Sequence, residues 1–142
     1  MPTLLFKLMA GLLGLATAST AASPFVGTWE GKLNDIPGVE ITIDESGQKL
    51  NGRIAFFFQK RGDDGIWRVE GDKMEAPMLA PKIEGKILSF EVNHYKTHGG
   101  KELGPNAKFR IELTGRSEAR LINLEDQSVG SIVLVRLSKN SK

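Results

Sequence analysis

His94 and His98 are the two imidazoles of a 142-residue chain that has no cysteine, so any metal or general-base chemistry has to start from them. Histidines four apart chelate zinc when a helix stacks them on one face. Gly99-Gly100 beside the pair opposes a helix, and along a strand the same spacing parts the rings by roughly 13 Å. No metal site and no cofactor are therefore expected. Thiol chemistry is excluded together with cysteine. Asp63-Asp64-Gly65 lacks the spaced oxygen ligands of a calcium loop. Arg61-Gly62-Asp63 matches the tripeptide read by adhesion receptors, but aspartate followed by glycine between strands is ordinary hairpin chemistry. The carboxylates Glu40, Asp44, Glu91 and Glu112 fall on polar parities, so paired acids for general acid–base work would have to come from loops. The chain carries no Gly-x-Ser-x-Gly elbow, phosphate-cradling glycine loop, His-Glu-x-x-His or dinucleotide fingerprint.

The elements that would position these groups begin after a leader. Residues 1–22 hold one positive charge at Lys7, an apolar run from Leu8 to Leu15, and small residues through Ala21 and Ala22. That is the order of a secretion signal, and the run is about half the ~20 residues of a spanning helix. Ala16-Thr17-Ala18 and Thr20-Ala21-Ala22 both suit the peptidase, and the second predicts a mature chain from Ser23. The expected location is exported, periplasmic or extracellular, without a membrane span. The formal charge of +2 comes from 19 basic and 17 acidic residues, and loss of Lys7 leaves 18 − 17 = +1. Both signs are interspersed, which speaks against nucleic acid. Residues 23–142 make one domain of ordinary size, with a short polar C-terminal tail.

Within that domain apolar residues recur at every second position. Phe25, Trp29 and Leu33 share a parity with Gly27 and Gly31. Ile36-Pro37-Gly38 reads as a turn, after which Val39, Ile41 and Ile43 alternate with polar residues up to Glu45-Ser46-Gly47. A third strand, from Lys49 to about Lys60, puts Leu50, Ile54, Phe56 and Phe58 on one face, with Gly52 at a bend or bulge. Ile66–Glu70 is a short strand, and Pro77 and Pro81 mark Asp72–Pro81 as an edge or extended segment. Leu88, Phe90, Val92 and His94 share the next inward face, and Phe109, Ile111 and Leu113 the one after. Strands from Glu118 to Leu124 and from Ser131 to Leu137 complete the chain. Ile132–Val135 is apolar on both parities, so the last strand is expected to be central or covered on both faces. The pattern predicts an all-β, antiparallel up-and-down meander closed as an eight-stranded barrel; a two-sheet β-sandwich would use the same strands.

Phe25-Val26-Gly27-Thr28-Trp29 resembles the opening strand of the calycin superfamily, the meander barrels that include lipocalins, fatty-acid-binding proteins and avidins. In lipocalins the tryptophan of the first strand packs beneath a basic side chain of the last strand, and Trp29 and Arg136 occupy the matching places. The resemblance implies a structural pair closing the barrel base, through a cation–π contact of roughly 0.5–2 kcal/mol. The direct passage from Leu33 through Pro37-Gly38 into the next strand is more similar to the avidins. The resemblance also implies an interior ligand cavity.

Inward parities gather Phe56, Phe58, Trp67 and Phe90, with His94 or Tyr95 as polar contacts, so the expected function is non-enzymatic binding of a small, mainly apolar molecule inside an exported barrel. Two other readings use the same strands. A barrel packed solid would bind a protein or envelope component through its outer face or loops, with the basic, glycine-rich Lys96–Lys108 as the candidate surface. A small barrel-type hydrolase or isomerase would need a histidine and a carboxylate to meet in a cavity.

Overall fold

The structure, a computed structural model, describes residues 23–93, 106–126 and 130–137. Eleven strands follow one another: β1 (Gly27–Leu33), β2 (Ile36–Ser46), β3 (Lys49–Phe56), β4 (Gln59–Arg61), β5 (Trp67–Val69), β6 (Met74–Pro77), β7 (Leu79–Glu84), β8 (Ile87–Val92), β9 (Ala107–Leu113), β10 (Glu118–Asn123) and β11 (Ser131–Arg136). Nine of them form one antiparallel sheet in the order β6-β3-β2-β1-β11-β10-β9-β8-β7, and β4 and β5 form a separate two-stranded ribbon. The sheet is an up-and-down meander curled into a nearly closed barrel with one unsealed seam. Its two outermost strands, β6 and β7, are consecutive in the chain and meet at Met78. One bent stretch thus pairs with β3 through its first half and with β8 through its second, while the expected strand Ile66–Glu70 leaves for the ribbon, so the sheet has nine strands where eight are expected. Ala80, at φ 50°, and a register shift between Leu79 and Lys82 make the bend.

The hairpins follow turn chemistry. Asn34 and Asp35 both have positive φ, at 56° and 66°, which two-residue hairpin loops of the mirror-image type require and these residues tolerate. The turn thus precedes Ile36-Pro37-Gly38, and Ile36 and Pro37 are already paired with Leu33 and Lys32. Gly52 carries no bulge, because the β2–β3 register runs unbroken through it. Its missing side chain makes room for Met78, whose Sδ would lie 2.5 Å from a Cβ at that position.

Alternation places the core where the parity predicts. Trp29, Val39, Ile41, Ile43, Ile54, Leu88, Phe90, Ile111, Leu121 and Leu134 are buried in one cluster with Phe25 and Met78, each large side chain contributing about 1.5–3 kcal/mol. No polar or charged residue is buried among the described residues. β11 is central, between β1 and β10. Its outer face is not covered by any described residue, since Val133 and Val135 are 44% and 50% exposed.

The two ends of the barrel differ. At the base, two-residue turns join β2 to β3 and β7 to β8, and residues 114–117 join β9 to β10. At the opposite end lie the ribbon and the Asn34-Asp35 turn.

Candidate functional site

The base is sealed by side chains from both chain ends. Trp29 is fully buried and its Nε1 donates to the Phe25 carbonyl at 3.0 Å. The Arg136 guanidinium lies over the indole, 4.4 Å from the ring centroid. The same guanidinium donates to the carbonyls of Val26 and Pro24 and, at 3.3 Å, to that of Arg116. A Cβ on Gly27 would stand 2.9 Å from Arg136 Nη1, so glycine at this position admits the arginine. Stacking plus this fork of donors engages the Arg136 guanidinium fully at the base.

Of the four aromatic residues expected to line the interior, the structure brings two together. Phe90 stacks on Phe109 with centroids 5.6 Å apart, and Phe56 approaches Phe109 at 6.0 Å. Phe58 and Trp67 are not inside the barrel. β3 ends at Phe56, the chain leaves the sheet at Phe57-Phe58, and both residues join the ribbon, where Phe58 is 51% and Trp67 37% exposed. His94, Tyr95, His98 and the Lys96–Lys108 segment up to Pro105 lie outside the described residues, as do the leader and the polar C-terminal tail. Asn106 donates to Glu91 at 3.0 Å, and Lys108 is exposed on β9.

The interior around Gly31 is occupied. A Cβ there would meet Ile132 Cγ2 at 2.8 Å, Val39 Cγ1 at 2.9 Å and Leu134 Cδ2 at 3.0 Å. The hollows among the described residues include open grooves at the surface. One of about 380 Å³ runs between β1 and β11, lined by Glu30, Lys32, Val133 and Val135. Another, of about 360 Å³, marks the seam, with Leu50 of β3 facing Pro81 and Ile83 of β7.

Gln59 ties the ribbon to the barrel. Gln59 Nε2 donates to the carbonyls of Leu33 and Pro37 at 2.9 Å each, and its Oε1 accepts from Asn34. Backbone bonds from Gly62 to Ile66 and from Glu70 to Phe58 extend the two-stranded ladder at both ends. Alternation then puts Trp67 and Val69 on the face of Gln59, and Phe58 and Ile66 on the face of Lys60 and Arg68. All four apolar side chains are exposed, Ile66 at 52%. At the tip, Arg68 Nη2 donates to Asp64 at 2.9 Å and the Ile66 amide donates to it at 3.0 Å. The Arg68 guanidinium first, and then the Ile66 N–H, hold the Asp64 carboxyl below its ordinary range. The Asp63-Asp64-Gly65 tip is thus a hydrogen-bonded turn.

The other carboxylates singled out in the sequence sit on the outer surface. Glu40 pairs with Lys73 at 3.1 Å and Glu112 with Arg110 at 3.0 Å, while Asp44 is exposed. No group of three metal-ligating side chains occurs among the described residues. Val133 and Val135, expected to be covered on both faces, are exposed, and so is Val69, which shares the parity of Trp67. The signal for the two β11 valines is an apolar residue on the second parity of a strand already apolar on the first.

The class of protein defined by this geometry is an all-strand antiparallel, nearly closed meander barrel, compatible with a calycin-like fold. Comparison with protein-family models, with curated proteins and with solved structures finds no match.

Proposed function

We propose that this chain is an exported, calycin-like barrel that acts as a packed scaffold and binds a partner protein through the β4–β5 ribbon. The observation that carries the reading is the exposure of Phe58, Ile66, Trp67 and Val69 on an arm anchored by Gln59. These side chains offer on the order of 350 Å² of apolar surface, divided between the two faces of the ribbon, Trp67 and Val69 on one and Phe58 and Ile66 on the other. Tryptophan and arginine dominate the energetic centres of protein interfaces, and Arg61 stands opposite Trp67 in the ribbon register. A two-stranded hairpin is marginal on its own, so an arm apolar on both faces is stabilised by whatever clasps it.

A photo-reactive residue placed at Ile66 in the producing cell tests this. An adduct of one defined mass is expected from Ile66, none from the same residue at Gln48 in the β2–β3 turn, and loss of the adduct when Trp67→Ala is added. Equal labelling from both positions, or none from either, refutes the arm as a recognition element.

A second reading keeps the small apolar ligand. It rests on the half-buried Phe56, packed against the Phe109–Phe90 stack. An apolar fluorescent probe that brightens with the processed protein, and no longer does so after Phe56→Ala, would favour it over the arm.

A further inference from the structure

We infer that the outer face of β11 is a self-association surface, and that its occupant is a second copy of this chain packed with its strands antiparallel. Val133, Val135 and Leu137 point outward in a line and are 44%, 50% and 38% exposed. The flanking charges are sorted by level. Val135 is in register with Glu30 on β1 and with Glu118 on β10, so this row is acidic on both sides. Val133 is in register with Arg120 on β10, and Lys32, the next outward residue of β1, borders it in the same groove. That row is basic on both sides. None of the four charged side chains forms an ion pair with another described residue; Arg120 donates to Ser131 and Glu118 accepts from Thr114.

A two-fold axis lying in this face, across the strands at the level of Leu134, sets the acidic row of each subunit opposite the basic row of the other. Glu30 then faces Lys32 of the partner subunit, and Glu118 faces Arg120 of the partner subunit. Each of these pairs occurs twice, because the interface is isologous. An axis along the strands would instead set Glu30 against Glu118, so charge selects the antiparallel arrangement. Packed sheets keep their strands within about 30° of one another, which preserves the facing rows near the centre, where the valines interdigitate. Five neighbouring strands, ~4.8 Å apart and ~20 Å long, offer on the order of 500 Å² per subunit, below the roughly 800 Å² of a standard interface. The dimer is accordingly weak and sensitive to salt. β11 is the middle strand of the nine.

Sedimentation equilibrium of the processed chain, over a concentration series reaching ~1 mM in low salt, reads the association. Wild type is expected to dimerise, at least tenfold more weakly in about 0.5 M salt. Glu30→Lys with Glu118→Lys makes both rows beside β11 basic, and Lys32→Glu with Arg120→Glu makes both acidic. Each variant alone is expected to stay monomeric, and an equimolar mixture to form a heterodimer. Thermal melts check that the variants fold, and the single changes Glu30→Lys and Lys32→Glu serve if a double variant does not. A wild type that is monomeric throughout, variants that dimerise like wild type, or a mixture that stays monomeric would each overturn the inference.

Discussion

One methyl group added at Gly31 asks whether the barrel is full. Gly31 lies outside the positive-φ region, so alanine fits its backbone, and in empty space Gly31→Ala would stabilise by about 0.5–1 kcal/mol through the chain entropy that glycine loses on folding. The structure removes that space, because three side chains from β2 and β11 stand 2.8–3.0 Å from the new carbon. Overpacking of this kind costs about 1–3 kcal/mol, which at mid-range exceeds the entropic gain by about 1 kcal/mol. For a domain of this size that lowers the melting temperature by about 3–6 °C. Val39→Ala removes the Cγ1 nearest the new methyl, so Gly31→Ala is expected to cost about 1 kcal/mol less in that background than in wild type. Thermal melts followed by circular dichroism, with urea midpoints for all four proteins of the cycle, measure both quantities. A Gly31→Ala protein that melts higher than wild type would show an interior with room to spare, and would return the ligand-cavity reading to first place.

Arg136→Lys keeps the charge but loses the flat fork over Trp29, and should cost about 1–3 kcal/mol in urea unfolding. Trp67→Phe should leave a blue-shifted emission that resists iodide quenching, since Trp29 is fully buried and Trp67 is not. Asp64 has a folded-state pKa below its unfolded value, so its stabilisation of the ribbon tip is present above the ordinary carboxylate range and is lost as pH falls below about 4; exchange of the Ile66 amide should accelerate there, and Asp64→Asn should abolish the pH dependence. The intact mass of the exported product should correspond to a chain beginning at Ser23.

What the sequence made legible is the part ruled by a period of two. Parity alone placed Val39, Ile41, Ile43, Leu88, Phe90 and Ile111 on the inner face, because a strand covered on one side has no other way to bury them. Parity fails where a strand stops. Phe58 continues the alternation of Phe56, but nothing in Phe56-Phe57-Phe58 announces that the ladder ends at Phe56, since three phenylalanines satisfy either face. Trp67 was misplaced for a related reason. An aromatic residue in a short alternating run reads as core until the run proves to belong to a two-stranded ribbon. Asn34-Asp35 is masked as a turn by the stronger signal of Pro37-Gly38 two residues later, although here proline sits within the early pairing of β2. The outward valines of β11 looked like burial on both sides, whereas their flanking charges are legible only once the register is known.

The unsealed seam bears on what the exposed apolar groups mean. An open sheet offers unpaired edges that invite other strands, so surface apolar residues could merely accompany imperfect closure. Here the edges are blunted by their own chemistry. Pro77 ends β6 and Pro81 interrupts β7, each without an N–H to offer. The Met78 amide donates to the Gly52 carbonyl at 2.8 Å, tying the bend back onto β3, and the exposed Lys82–Glu84 pair charges the rest of β7. Strand addition at the seam is therefore opposed. The uncovered apolar side chains of the ribbon and of β11 lie elsewhere, on segments whose ladders are complete on both sides for β11 and pinned by Gln59 for the ribbon. Closure does not call for them. The two proposed contacts would, and the surfaces differ in the partner proposed for each: sorted charges on β11 match a copy of themselves, whereas the ribbon, with Trp67 opposite Arg61, has no such self-complement.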